Sequence, residues 1–493
     1  MLDRFREAAE LVEMLGDWTT RSGPMYRRLT AVLRQAVRVG DLQPGERLPS
    51  ERQLAAALAV SRATVVAAYD DLRGAGILDS RQGSGTRVAL TRDGSRPTAD
   101  GRVPGGRATS IFQRLVDGPG EVISLTYAVE AGVPELGDAL LDLVRDDLPY
   151  LLADAGYHPR GLPALRDAIA LHLSEQTMPT VADQVLVTTG AHQAISLVAA
   201  MYLRPRSTVV VESPSWPGCL DVFRAASARL IFVPLDEEGI RVDGTAQAII
   251  EHAPALLYLT PTYHNPTGTL MSASRRRRIA EIAARHGVPI LEDNAYGAVI
   301  GRADASPPPV AELAPAHAEV LTVYSLAKAV WGGLRIGWVR APVEVAERLA
   351  RLKALADLGS PVLDQALAAR LLPKLADLTA ARAATVQQRL DHLGELLAEK
   401  LPSWRWRRPD GGSALWVDLP QTDARVFAQV ALRHGVEVVP GAAMDPTGRH
   451  DTFIRVPFTF PVEVLTELVH RLSRAWADLQ RHGPAAAPLR PVV

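Results

Sequence analysis

Apolar positions recur with two different periods along this chain, and the change of period divides it. Over residues 1–24, Leu2, Phe5, Ala9, Val12 and Leu15 fall at helical spacing before Gly16 and Gly23-Pro24, which predicts a helical N-terminal extension. Tyr26, Leu29, Val32, Leu33, Ala36 and Val37 make a second helical stripe and open a block at 25–89. Residues 91–110, TRDGSRPTADGRVPGGRATS, carry no apolar period. Such a composition cannot repay the entropy of ordering the chain, so 90–120 is expected to be a flexible linker. From 121 onward short apolar runs alternate with helical stretches. VLVTT (185–189), TVVVE (208–212), ALLYLT (255–260), PILED (289–293) and VLTVYS (320–325) predict buried strands, with helices such as 272–287 between them. That alternation predicts an α/β domain with a largely parallel sheet over 121–483. Its large part is expected at about 151–345, and a smaller part at about 121–150 and 346–483, helical at first and α+β after about 400. The tail 484–493 is expected to be disordered.

Within 25–89, Ser50-Glu51-Arg52-Gln53 is a capping box that opens a short helix carrying Leu54, Ala55 and Leu58. A turn at Ala59-Val60 follows, and Ser61 caps a second helix with Val65, Tyr69 and Leu72 on its inner face. Two short helices joined by a tight turn predict a helix-turn-helix, whose second helix presents Ser61, Arg62 and Thr64 to a major groove. Ile77-Leu78 and Thr86–Val88 flank a Gly-rich tip, which predicts a β-hairpin wing.

Charge supports a local rather than a global nucleic-acid surface. The chain of 493 residues has a formal net charge of −1, whereas the block 25–89 holds ten arginines and six acids. One cysteine, Cys219, excludes a disulfide framework or a cysteine-based metal cluster. No apolar run is long enough for a membrane span and the N-terminus lacks a signal-peptide pattern, so a soluble cytoplasmic protein is expected.

Chemistry enters at the strand ends. A carbanion-stabilising cofactor needs a lysine amine, a phosphate cup, an anion beside its ring nitrogen and groups that clamp the ring. After VLVTT, Gly190-Ala191-His192 opens a helix whose backbone N–H groups suit a phosphate. After TVVVE comes Trp216, able to stack on a flat ring. After ALLYLT, Asn265 stands in a proline-bounded loop, and after PIL come Asp293 and Tyr296. A buried acid at a strand end is costly unless paired, which suits Asp293 to a pyridinium proton. Only Lys328, Lys353, Lys374 and Lys400 are lysines. Lys328 alone is flanked by apolar and small residues, while the other three fall in helical segments where a solvated lysine is routine. Arg335 follows as a bidentate phosphate donor.

The run GERLPSERQLAAALAVSRATVVAAYDDLRGAGIL…GSGTRV resembles the DNA-binding domain of GntR-type bacterial regulators. That resemblance implies DNA contacts at Arg52, Ser61, Arg62, Thr64 and the wing residues Gly83, Ser84 and Gly85. The strand-end constellation resembles fold-type I aminotransferases, the aspartate aminotransferase fold. It implies pyridoxal 5'-phosphate, with Lys328 as the aldimine lysine, Asp293 against the pyridine nitrogen, and Asn265 and Tyr296 at the ring oxygen. It further implies Trp216 stacked on the ring, and Ala191, His192, Ser325 and Arg335 on the phosphate. Tyr157 would reach the phosphate of a neighbouring subunit, and Arg455 would clamp a substrate carboxylate. The two halves together resemble MocR/GabR regulators. Their architecture implies a multidomain chain, a winged helix-turn-helix plus an α/β PLP-dependent transferase domain. The resemblance further implies a head-to-tail homodimer on double-stranded operator DNA with paired half-sites, sensing PLP or an amino effector. The alternative is a true aminotransferase with an accessory DNA-binding domain.

Overall fold

The computed structural model describes residues 5–16, 18–19, 23–81, 85–89, 122–128, 130–296 and 306–483. The wing-tip residues Gly83 and Ser84, the expected linker at 90–120 and the tail at 484–493 lie outside the described residues.

The DNA-binding block forms as its periodicity predicts. Helices Met25–Arg38, Glu51–Ala57 and Arg62–Gly74 bury Leu29, Leu33, Leu54, Val65, Tyr69 and Leu72 in one core. Ser50 and Gln53 make the reciprocal capping box, and the Ser61 side chain accepts from Thr64 N–H. The hairpin Leu78–Arg81 and Gly85–Val88 pairs antiparallel, with Arg81 opposite Gly85. The extension is shorter than the predicted helix. Among the described residues it spans only Ala8–Leu15: Phe5 makes a parallel bridge with Arg47 instead of joining the helix, and Gly16, at a positive φ of 56°, stops it at the other end. It belongs to this domain: Leu11, Leu15 and Trp18 join the same core, and buried Arg6 donates from Nε to Glu46 at 2.6 Å.

The strands predicted at 185, 208, 255, 289 and 320 all form, in one eight-stranded sheet. Its order is 185–188, 337–340, 320–325, 290–293, 256–259, 208–213, 229–236 and 239–240. The central pairings are parallel, whereas Gly337–Arg340 runs antiparallel to both its neighbours. The loops after the five predicted strands therefore open at one edge, where α/β sheets bind ligands.

The smaller part packs a four-stranded antiparallel sheet, ordered 405–406, 414–418, 453–457 and 439–440, against helices Leu375–Lys400, Ala424–Arg433 and Val462–His482. Residues 121–150 do not go wholly to this part. Ile123–Ser124 pairs there with Val436–Glu437, but helix Glu135–Asp146 buries Ala139 and Leu143 with Leu165, Ile169 and Trp338 of the large part. Its apolar face matches that surface.

The two domains touch. Ala59, in the turn of the helix-turn-helix, is buried in the core of the smaller part, and its carbonyl accepts from Arg433 Nη1 at 2.8 Å. Trp18 Nε1 donates to Gln429 Oε1 at 3.3 Å. Burial pushes the Glu13 carboxyl up, opposed by Arg224 and, less, by Arg425.

Candidate cofactor site and DNA-binding face

The phosphate cup begins at Gly190, whose φ of 80° lets the chain turn from strand into helix Ala191–Tyr202. Gly190 supplies no side-chain cap, so the helix start is left to be closed by other groups. Arg335 lies against this turn. Its Nη2 donates to the Thr189 carbonyl at 3.0 Å, and a Cβ placed on Gly190 would stand 2.9 Å from that nitrogen. Burial and the Arg335 charge depress the pKa of His192 and keep its imidazole neutral. Its ring meets Trp216 edge-on, centroids 5.8 Å apart. Ser325 is buried at the end of its strand, where Oγ accepts from Ala327 N–H at 3.2 Å.

Three predicted residues, Asp293, Lys328 and Tyr296, come together beside this cup. Asp293 ends a fully buried strand. Its Oδ1 accepts from Ala295 N–H at 3.1 Å, and its Oδ2 accepts from Tyr258 Oη at 2.7 Å. Burial raises the Asp293 pKa, against which Tyr258, Ala295 N–H and Lys328 act. Lys328 Nζ lies 5.2 Å from the Tyr296 ring centroid and donates to the Ala128 carbonyl at 2.7 Å. The Tyr296 hydroxyl is 2.8 Å from Ser413 Oγ of the smaller part. Asn265 is half-buried, and no hydrogen bond occupies its amide among the described residues.

Arg455 reaches the site from strand Phe453–Pro457. It is 3% exposed, and its Nη2 donates to the carbonyls of Leu125 and Thr126 at 3.0 and 2.9 Å. Its Nε has no partner, and burial depresses its pKa. A buried guanidinium with an unspent donor suits a carboxylate. Segment 125–128 thus touches both Arg455 and Lys328, in a region where sequence reasoning found nothing. Tyr157 stands apart, 70% exposed.

Lys353 departs from expectation. It is not a solvated helical lysine but fully buried, because helix Val343–Asp357 packs on helix Ala191–Tyr202. Its Nζ donates to Asp357 at 2.8 Å and to Gln193 Oε1 at 2.9 Å, and Gln193 in turn accepts from Thr189 N–H. It therefore braces the cup from behind. Glu212 was also missed. It is fully buried, accepts from Thr260 N–H at 2.7 Å, and its pKa is pushed up to about 8, chiefly by burial. Its signal was the one used for Asp293: an acid ending an apolar strand.

On the DNA-binding domain, Arg52, Ser61 and Arg62 are exposed and Thr64 is partly so. The Ser61 and Thr64 hydroxyls lie 2.9 Å apart within the cap, leaving Arg62 as the long free donor at the helix start. Gly85 opens the second wing strand at φ 79°, beside the Arg47 guanidinium.

The arrangement fits pyridoxal phosphate: an uncapped helix start beside an arginine, a buried carboxylate, an amine facing a tyrosine ring, and a free amide. These features define a PLP-type aminotransferase domain joined to a winged helix. The family described as "Aminotransferase class I and II" matches residues 154–472, and "Bacterial regulatory proteins, gntR family" matches 25–88. The chain belongs to the MocR/GabR-type regulators, which join these two domains. It is 31% identical over 458 residues to the uncharacterized HTH-type transcriptional regulator YisV of Bacillus subtilis, covering 89% of this chain and 92% of that one. It is 30% identical over 339 residues to the probable rhizopine catabolism regulatory protein MocR of Rhizobium meliloti, covering 67% and 68%. Among solved structures, the alpha-aminoadipate aminotransferase LysN of Thermus thermophilus, complexed with N-(5'-phosphopyridoxyl)-L-leucine, superposes with a TM-score of 0.67 at 28% identity, covering 75% of this chain and 95% of that one. Among the described residues no helix is long and apolar enough to cross a membrane.

Proposed function

We propose that this chain is a DNA-binding transcriptional regulator whose aminotransferase domain senses pyridoxal phosphate, an amino compound, or both, in the cytoplasm. One observation carries the reading: a winged helix with an exposed Arg62 and a converged cofactor pocket stand in one chain. When bound, the cofactor supplies a reactive aldehyde and an electron sink. Lys328 would hold it covalently, with Asp293 at the pyridine nitrogen, Asn265 and Tyr296 at the ring oxygen, and Trp216 over the ring. Ala191, His192, Ser325 and Arg335 would take the phosphate, and Arg455 the effector carboxylate. The exposure of Tyr157 fits a contact to the phosphate of a second copy, hence a head-to-tail homodimer reading paired half-sites. Arg52, Arg62 and the wing, including Gly83, Ser84 and Gly85, would meet the DNA.

The domain seam supports coupling between the two sites. Ala59 is three residues from Arg62, and its partner Arg433 belongs to the smaller part, which also carries Arg455. A ligand that shifts this part changes the seat of the helix-turn-helix, by no more than its differential affinity for the two seats. The second reading, a true aminotransferase, draws on the likeness to LysN. The test sets multiple-turnover transamination over a panel of amino acids beside binding to DNA upstream of the protein's own gene. DNA binding altered by ligand, without sustained turnover, is expected. Sustained turnover with DNA binding indifferent to ligand would refute the regulator.

A further inference from the structure

We infer that Tyr258 is a positioning residue for the cofactor, its hydroxyl fixing the Asp293 carboxylate in the orientation that meets the pyridine nitrogen. The inference rests on the role given to Asp293 above.

Tyr258 sits mid-strand in Leu256–Leu259 and is fully buried, yet it carries a polar atom. A buried tyrosine hydroxyl needs a partner, and this one donates to Asp293 Oδ2 at 2.7 Å. Ala295 N–H holds the other oxygen at 3.1 Å. The two donors leave the carboxylate one orientation. Phe223 packs edge-on against the Tyr258 ring, centroids 5.6 Å apart.

The surrounding charges make this bond matter. Lys328 is the cation that acts on Asp293. His264 brings no positive charge, because burial holds its imidazole pKa down at about 3. Glu212 nearby is pushed up to about 8, chiefly by burial and further by the Asp293 charge, so it holds a proton at neutral pH. The Cys219 thiol nearby is pushed up by burial and stays neutral. Burial raises the Asp293 pKa as well, and the Tyr258 hydroxyl is the first group acting against that rise, ahead of Ala295 N–H and Lys328. Without the Tyr258 hydroxyl, one backbone N–H would be the remaining hydrogen-bond donor to Asp293.

The test uses the full-length protein, pyridoxal phosphate and the visible absorbance of the cofactor bound to Lys328. Tyr258→Phe keeps the ring and removes the donor. A hydrogen bond to a charged group corresponds to on the order of ten- to a hundredfold in affinity, and cofactor binding is expected to weaken by that factor. The pH midpoint of the visible band should rise by about one unit, because a ring nitrogen less firmly protonated no longer depresses the imine. In an Asp293→Asn background the same change should do little more, since the hydroxyl acts through that carboxylate. Phe223→Leu, which disturbs packing and spares the hydroxyl, should leave the midpoint in place. A wild-type midpoint and affinity in Tyr258→Phe, full additivity with Asp293→Asn, or an equal shift in Phe223→Leu would each overturn the inference. No visible band in the unsubstituted protein would instead sink the cofactor reading, and this inference with it.

Discussion

Arg433→Ala tests whether the contact between the domains carries the ligand signal. Arg433 ends helix Ala424–Arg433, is half-buried, and donates to the carbonyl of Ala59 at 2.8 Å. Burial depresses its pKa, opposed by Asp478; a guanidinium keeps its charge in proteins, so the bond is charge-assisted. Bonds of that kind contribute about 1.5–3 kcal/mol, and the docked seat of the helix-turn-helix should lose roughly ten- to a hundredfold in population. Arg62 is exposed in the docked state, so docking does not cover the end that reads DNA. The change should therefore spare affinity for one half-site and weaken affinity for paired half-sites, where the spacing of two domains matters.

The assay is fluorescence anisotropy on single and paired half-sites, with and without pyridoxal phosphate and an amino ligand. Coupling between two sites typically amounts to about 1–3 kcal/mol, or 5–150-fold. Arg433→Ala should draw that ratio toward one. Gln429→Ala removes a neutral acceptor from Trp18, worth about 0.5–1.5 kcal/mol, and should do so less. The labelling rate of a thiol introduced by Ala59→Cys, a position buried in the core of the smaller part while the turn is seated, checks that the seat has opened. An opened turn with full ligand dependence, or a turn still protected in Arg433→Ala, would refute the reasoning.

Three further outcomes follow from single groups. Lys328→Ala should abolish the visible cofactor absorbance and borohydride trapping; covalent trapping in that variant would place the linkage on another lysine. Arg62→Ala should cost about 1–3 kcal/mol on the cognate site and less on random DNA if its contact is to a base, whereas equal losses would assign it to phosphate. Glu212, raised from an unfolded value of 4.5 to about 8, contributes stability that is fully present below 4.5 and lost as pH rises through about 8. Glu212→Gln should flatten the fall in chemical-denaturation stability between those limits, and an unchanged profile would mean that Glu212 does not titrate there.

What the sequence made legible follows from where chemistry sits in an α/β sheet. Lys328, Asp293, Trp216 and Asn265 all lie just past runs of apolar residues, so the strand pattern located them before any side chain was seen. Tyr258 lay inside such a run and read as one more hydrophobe, although its hydroxyl sets the state of Asp293. Lys353 misled for the converse reason: a lysine on a helix reads as solvated until the packing of that helix is known, and here Asp357 and Gln193 supply the pairing that lets it be buried. The strand at 337–340 was also missed, since GWVR is short and its place between two strands is fixed by partners far away in the chain.

The extension shows the same limit more sharply. Its apolar spacing announced a helix but could not say what that helix covers. Leu11 and Leu15 face the core of the DNA-binding domain, while Trp18 spends its indole N–H on Gln429 of the smaller part. Glu13 feels the charge of Arg224 in helix Pro217–Ala225, which begins directly after Trp216. One short segment thus packs in the DNA-reading domain, bonds to the smaller part and feels the charge of the helix that follows the stacking residue. A displacement between the two parts of the aminotransferase domain changes the distance from Glu13 to Arg224 or strains the bond from Trp18 to Gln429. That is the physical reason to expect ligand and DNA to be linked through this surface rather than through residues 90–120.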